Sequence, residues 1–158
     1  MTHNKINLEF MGHALEQARL SYSEDEVPVG AVVVYQDKII GVGRNKLISQ
    51  NNPIAHAEMI AIQHAADYLK NYRLINCDLY VTLEPCIMCM GAIFHARINR
   101  LFFGAWDNKT GACGGKINLV QDKTLNHHCS STGGILEEQS AQLLQKFFKE
   151  KRTKKNRE

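Results

Sequence analysis

Residues 31–35, Ala31-Val32-Val33-Val34-Tyr35, form a nearly unbroken β-branched apolar run, and this run constrains the fold more than any other stretch. β-Branched side chains lose χ1 freedom in a helix and fit the pleated surface of a sheet. A strand with one face in water alternates apolar and polar residues, so an unbroken run needs cover on both faces. A chain that contains such a strand must build at least three layers. The rest of the sequence offers the parts. Leu8, Met11, Ala14, Leu15 and Ala18 recur at the spacing of an amphipathic helix. Gln36-Asp37-Lys38 turns the first strand, and residues 39–43 return as a second. A polar loop over 44–53 leads to a helix over 56–69, then a third strand over 78–83 that Pro85 cuts off. Residues 86–96 read as a short helix, 100–104 as a fourth strand and 105–115 as a loop rich in glycine. Residues 118–126 fit neither pattern, and a short fifth strand is expected near 128–131. Leu136, Leu143, Leu144, Phe147 and Phe148 form the apolar face of a last helix. The order α-β-β-α-β-α-β-(β)-α predicts an α/β fold, a three-layer α/β/α sandwich around one mixed sheet.

Length agrees with a single unit. At 158 residues the chain is too short for two nucleotide-binding domains or a (β/α)₈ barrel of ~250 residues. It has no run of ~18 apolar residues that would span a membrane. Met1-Thr2-His3-Asn4-Lys5 lacks the build of a signal peptide, so the expectation is a soluble, cytoplasmic protein. Its five cysteines, an odd number for a disulfide framework, are then expected to be reduced. The net charge of +3 is unevenly placed. From position 146 onward seven Lys/Arg and two Glu give +5, which leaves the remaining residues at −2. Residues 1–148 therefore read as the domain and 149–158 as a basic C-terminal tail, either a polyanion contact or a solvated, frayed terminus.

Two short motifs carry chemistry: His56-Ala57-Glu58 and Pro85-Cys86-Ile87-Met88-Cys89. Each falls where a helix is expected to start. Cys-x-x-Cys lets two thiolates converge on one metal ion, and a helix N-terminus favours the thiolate form. With His56 they make three ligands, and a catalytic tetrahedral Zn²⁺ site leaves the fourth position to water. Residues i and i+2 of a regular helix diverge, so His56 and Glu58 face one ion only if His56 lies at an irregular helix entry; Pro53 supports an entry there. Glu58 would then sit beside the metal without ligating it, the place for a proton shuttle. A structural zinc site stays open as an alternative, with a fourth ligand from Cys77, Cys113, Cys129, His64, His95, His127 or His128. So does a redox Cys-x-x-Cys, although that motif ordinarily follows the first strand of its fold.

His56-x-Glu58 with Pro85-Cys86-x-x-Cys89 is the zinc deaminase signature. Further stretches extend the match: Glu26-Val27-Pro28-Val29-Gly30-Ala31, Asn71-Tyr72-Arg73-Leu74, Leu79-Tyr80-Val81-Thr82-Leu83-Glu84, Gly91-Ala92-Ile93-Phe94-His95-Ala96-Arg97-Ile98, and residues 103–112. Together they resemble the bacterial tRNA-specific adenosine deaminases of the cytidine/deoxycytidylate deaminase superfamily, from about residue 8 to 148. The resemblance implies a cytidine deaminase-like five-stranded mixed sheet, a homodimer and one Zn²⁺ per subunit. It implies hydrolytic deamination of adenosine to inosine at the wobble position of a tRNA anticodon stem-loop. It carries zinc binding to His56, Cys86 and Cys89 and proton transfer to Glu58. It carries retention of the flipped nucleotide to Asn45, the base-pocket lining to Val29 and the Ala57 backbone, and an RNA-backbone contact to Asp107. Trp106 and Gly114-Gly115 depart from the family pattern in the loop that would grip RNA.

Other residues invite weaker readings. Phe147 and Phe148 could stack on a base, but core packing is an equal expectation. His127 and His128, taken as strand neighbours pointing to opposite faces, are expected not to be ligands. Met88 and Met90 read as core or dimer contacts, and Cys77, Cys113 and Cys129 as small buried or loop residues. The rival functions are a sibling deaminase acting on a free base or nucleoside, and a non-catalytic zinc scaffold that binds RNA. Glu58 argues against the scaffold, since a structural zinc site has no use for it.

Overall fold

The structure is a computed structural model and describes residues 2–157; Met1 and Glu158, the outer ends of the expected segments 1–148 and 149–158, lie outside the described residues. In chain order the elements are α1 (Thr2–Ser23), β1 (Gly30–Tyr35), β2 (Lys38–Arg44), α2 (Ala57–Leu69), β3 (Cys77–Leu83), α3 (Ile87–Ala96), β4 (Arg100–Ala105), β5 (Ser130–Thr132) and α4 (Glu137–Arg157). The five strands form one sheet in the order β2-β1-β3-β4-β5. β1 runs antiparallel to β2 and β3, whereas β3, β4 and β5 are parallel to one another, so the sheet is mixed as expected.

Alternation along the central strands feeds two cores. Ala31 and Val33 of β1, Leu79 and Val81 of β3, and Leu101 and Phe103 of β4 pack beneath α2 and α3. Val32 and Val34, with Tyr80 and Phe102, pack beneath Phe10, Met11 and Ala14 of α1. The apolar run is unbroken because each successive side chain enters a different core. α2 seats unusually close to the sheet. Its buried Ala57, Ala61 and Ala65 lie over β2, where a Cβ on Gly43 would fall 2.2 Å from the Ala57 carbonyl oxygen. A Cβ on Gly41 would fall 2.4 Å from that of Ala61. This close approach sets the start of α2, and with it His56, directly against the sheet. Among the described residues no helix is long and apolar enough to cross a membrane.

Several expected boundaries move. The fifth strand is Ser130–Thr132, paired with residues 100–102 of β4, so His127 and His128 precede it and the opposite-faces argument does not apply to them. His127 instead places Nε2 2.7 Å from the Ile98 carbonyl oxygen. The last helix does not end near Phe148. It continues to Arg157, so the basic stretch through that residue is helical. Two contacts hold it: Lys151 Nζ lies 2.7 Å from the Asp25 carboxylate, and Tyr22 hydrogen-bonds Glu150. Phe147 is buried against Tyr22, but Phe148 is 43% exposed, so the apolar face of α4 is narrower than its sequence suggests.

Candidate metal centre and substrate cavity

The sequence around His56 turns the chain before it coils. Asn52 Oδ1 accepts from the Ile54 N–H (3.1 Å), and the His56 N–H donates to the Ile54 carbonyl (2.8 Å). His56 is left extended (φ −71°, ψ 151°) as the N-cap of α2, with no side-chain cap bond of its own. Asn45 supplies that bond from outside: its Oδ1 accepts the N–H of Ala57 at 2.9 Å. Cys86 repeats the arrangement. After Pro85 it is extended (φ −78°, ψ 176°) as the N-cap of α3, and Cys89 lies in the first turn. The expected helices over 56–69 and 86–96 thus begin one residue late, and that single residue frees both side chains to face the same point.

They do face it. His56 Nδ1 lies 3.7 Å from Cys86 Sγ and 3.5 Å from Cys89 Sγ. A tetrahedral zinc with Zn–S of ~2.3 Å and Zn–N of ~2.0–2.1 Å would hold its sulfur and nitrogen ligands about 3.6 Å apart, so the donor set fits that ion. Among the described residues, His56, Cys86 and Cys89 are the one group of three or more such side chains whose donor atoms lie within 4.8 Å of one another. None of the seven candidate fourth ligands joins them, and His64 is occupied elsewhere, its Nδ1 accepting the Val42 N–H at 3.1 Å. Three protein donors with no fourth match a catalytic site better than a structural one. The two thiols divide their roles: a hydrogen bond from Cys89, then one from His56, pulls Cys86 down to about 4. Its bond to Cys86, together with burial, pushes Cys89 up. His56 is raised by its hydrogen bond to Cys86.

Glu58 is the second residue of α2 and only 4% exposed. Because His56 is extended and outside the helix, the i, i+2 divergence disappears and Glu58 reaches the same place. Burial pushes its carboxyl above the ordinary carboxylate range, against the pull of its own backbone N–H, His56 and Cys89. Val29, Asn45, His56, Glu58, Cys86 and Asp107 together line a cavity of about 210 Å³. That is below the roughly 300–1,000 Å³ of pockets that take drug-sized ligands, and suits one ring system. A larger groove of about 540 Å³ lies on the α1 face, but it is lined by no His or Cys and is remote from these donors.

Not every expected site residue has the expected surroundings. Ala57 is fully buried beside Asn45 and is not part of the cavity wall. Asp107 is in the wall, yet its carboxylate is engaged by its own loop, accepting from the Lys109 N–H (2.9 Å), the Thr110 N–H (3.1 Å) and the Thr110 hydroxyl (2.8 Å). Burial pushes that carboxyl up, and these bonds outweigh it, so it sits below its ordinary value. Trp106 is 46% exposed and held edge-on to Phe103 at 4.7 Å. Sequence reasoning missed Val27, Leu47, Leu83, Glu84 and Thr110, which complete the wall. The one signal for Glu84 was its place directly before Pro85-Cys86.

Residues 4–105 match the family model of the cytidine and deoxycytidylate deaminase zinc-binding region. The tRNA-specific adenosine deaminase of Haemophilus influenzae is 48% identical over 156 residues, which span 96% of this chain and 90% of that protein. That of Bacillus subtilis is 41% identical over 146 residues, 92% and 91% of the two chains. A solved structure from a study of A-to-I editing by tRNA:A34 deaminases at the wobble position of transfer RNA superposes with a TM-score of 0.83 at 42% identity. It covers 86% of this chain and 99% of its own.

Proposed function

Because this chain belongs to the cytidine and deoxycytidylate deaminase zinc-binding family, we propose that it hydrolyses adenosine to inosine, with release of ammonia, at the wobble position of a tRNA anticodon. The observation that carries this reading is the three-donor set at the paired helix caps, with buried Glu58 beside it and one base-sized cavity in front. His56, Cys86 and Cys89 would hold one zinc per subunit, which when bound would supply a Lewis acid that makes water nucleophilic near neutral pH. Glu58 relays both protons of the attacking water, the first to a purine ring nitrogen and the second to the amine, which leaves as ammonia. Its place in the first turn of α2, where the helix end is positive, offsets part of the cost of its negative form. Asn45 has its Oδ1 fixed by Ala57, which leaves the Nδ2 amide to hold the flipped nucleotide. Val29 packs against the base, and Asp107 and Thr110 shape the side of the cavity nearest the RNA backbone. The protein works in the cytoplasm as a homodimer, and Ile54 and Ile87, both more than half exposed beside the ligand positions, offer apolar surface for the pairing.

A base in a duplex cannot reach a buried metal centre, and RNA is read in sequence mostly through unpaired loops. An anticodon stem-loop is therefore expected to be converted to inosine, and the same strand annealed to its complement is expected to be inert. Asn45→Ala should lower turnover on the loop. Equal rates on loop and duplex, measured by inosine formation, would refute the reading. Conversion of free guanine or cytosine in place of the loop would establish the rival sibling activity.

The basic end of α4 is the second element of this reading. Its pairing with Asp25 holds it beside the connection that leads to Val27 and Val29 of the cavity wall. Replacing Lys149, Arg152, Lys154, Lys155 and Arg157 with Gln keeps the Lys151 pair and the helix while removing charge from 149–158. KM for tRNA should rise and kcat stay within about twofold. The slope of log affinity against log salt should flatten by about 0.7 for each single-strand phosphate that these side chains no longer neutralise. A salt series that shows an unchanged slope would leave these charges merely solvated.

A further inference from the structure

Two buried glutamates flank the cavity, and the chemistry above uses neither. Glu84, 2% exposed, accepts the Asp107 N–H on Oε1 (2.8 Å) and the Cys113 and Gly115 N–H groups on Oε2 (2.8 Å each). Glu26, also 2% exposed, accepts the Ile48 N–H on Oε1 (2.9 Å) and the Ser49 N–H on Oε2 (3.0 Å). Among the described residues neither forms an ion pair with Lys, Arg or His. A buried carboxylate without a counter-ion is costly, and here backbone N–H groups alone offset it. The loops cannot leave without exposing that cost. Glycine makes the wrapping possible: a Cβ on Gly115 would fall 2.2 Å from Glu84 Oε1, and one on Gly111 2.3 Å from its carboxyl carbon.

We propose that Glu84 and Glu26 are positioning residues that set two walls of the substrate cavity. Glu84 fixes the 107–115 loop, which brings Asp107 and Thr110 to the cavity. Glu26 fixes the 45–49 segment, which brings Asn45 and Leu47. What the cavity receives rests on the deaminase reading; what holds its walls does not. Both sites consist of acceptors facing N–H donors, so Gln in either orientation turns an NH₂ toward at least one N–H group. The wall then loosens and must be ordered again by the substrate, while the metal donors and Glu58 stay on the starts of α2 and α3.

The test is hydrogen exchange with steady-state kinetics on the zinc-loaded protein. Glu84→Gln should speed exchange at Asp107, Cys113 and Gly115 by about tenfold or more and leave Ile48, Ser49 and the β1 and β3 amides protected, the size expected for one buried donor left unmatched. Glu26→Gln should do the reverse. Both should raise KM for the anticodon stem-loop by about tenfold, keep kcat within about threefold and retain zinc. Gly115→Ala, which displaces the Glu84 carboxylate from the loop side, should reproduce the KM rise and the loss of protection at Asp107 and Cys113. Loss of protection spread evenly over both walls and the core strands, unchanged exchange in these variants, or a fall in kcat at constant KM would each overturn the proposal. If the stem-loop is not turned over even by the unaltered protein, the substrate reading fails, and the exchange pattern still decides the walls.

Discussion

Glu58→Gln is expected to keep its zinc and its affinity for an anticodon stem-loop while kcat falls by about 10²–10⁴-fold, the usual contribution of a general acid–base group. The substitution preserves side-chain volume in a site where Glu58 is only 4% exposed, so packing in the first turn of α2 should survive. What it removes is the ability to accept a proton. Burial raises the Glu58 carboxyl, which suits a group that must hold a proton and then release it. Metal analysis, stem-loop binding and single-turnover inosine formation separate the three quantities. Activity within a few fold of the original protein would mean that another group moves the proton.

Cys86→Ala is expected to lose zinc and all measurable activity, and to lower thermal stability. The three donors join the starts of α2 and α3, which begin 30 positions apart in the chain, so a bound ion ties these two helices together. Removing one thiolate leaves His56 and Cys89, a pair too few to hold the metal firmly. A ligand present at a hundredfold its dissociation constant stabilises by about 2.7 kcal/mol. For a domain of this size that corresponds to a melting shift of roughly 5–10 °C. Treating the original protein with a chelator should reproduce the shift, and the variant should not respond to chelator. Stoichiometric zinc in Cys86→Ala would remove Cys86 from the ligand set.

The site was legible to the extent that its geometry is local. His56 and Glu58 lie within one helix start and Cys86 and Cys89 within another, so residue type and spacing were enough to expect convergence within each pair. The walls were legible only in part: the family resemblance pointed to Val29, Asn45 and Asp107, which line the cavity, but nothing in the chain marked what holds them. Glu84 looks in the chain like an ordinary acidic residue before a proline, and its partners are backbone N–H groups at 107, 113 and 115, which carry no side-chain signature. Asp107 carries the complementary lesson: the family resemblance assigns it a contact to RNA, and the fold adds that its carboxylate accepts from Lys109 and Thr110 of its own loop.

The sequence by itself determined the layers and the donor set. An unbroken apolar strand at 31–35 can be satisfied only by cover on both faces, because successive side chains point opposite ways. Two caps followed by a glutamate and by a second cysteine aim their side chains by local backbone geometry. Only the tertiary structure decided what depends on neighbours distant in the chain. It placed position 56 within 3.7 Å of position 86, gave the fifth strand to three largely exposed residues that alternate no apolar face, and carried α4 through its basic residues to Asp25. Each of these outcomes is set by packing and backbone hydrogen bonds between segments far apart in the chain, and such partners are chosen by the folded surface, not by the spacing of residues along one segment.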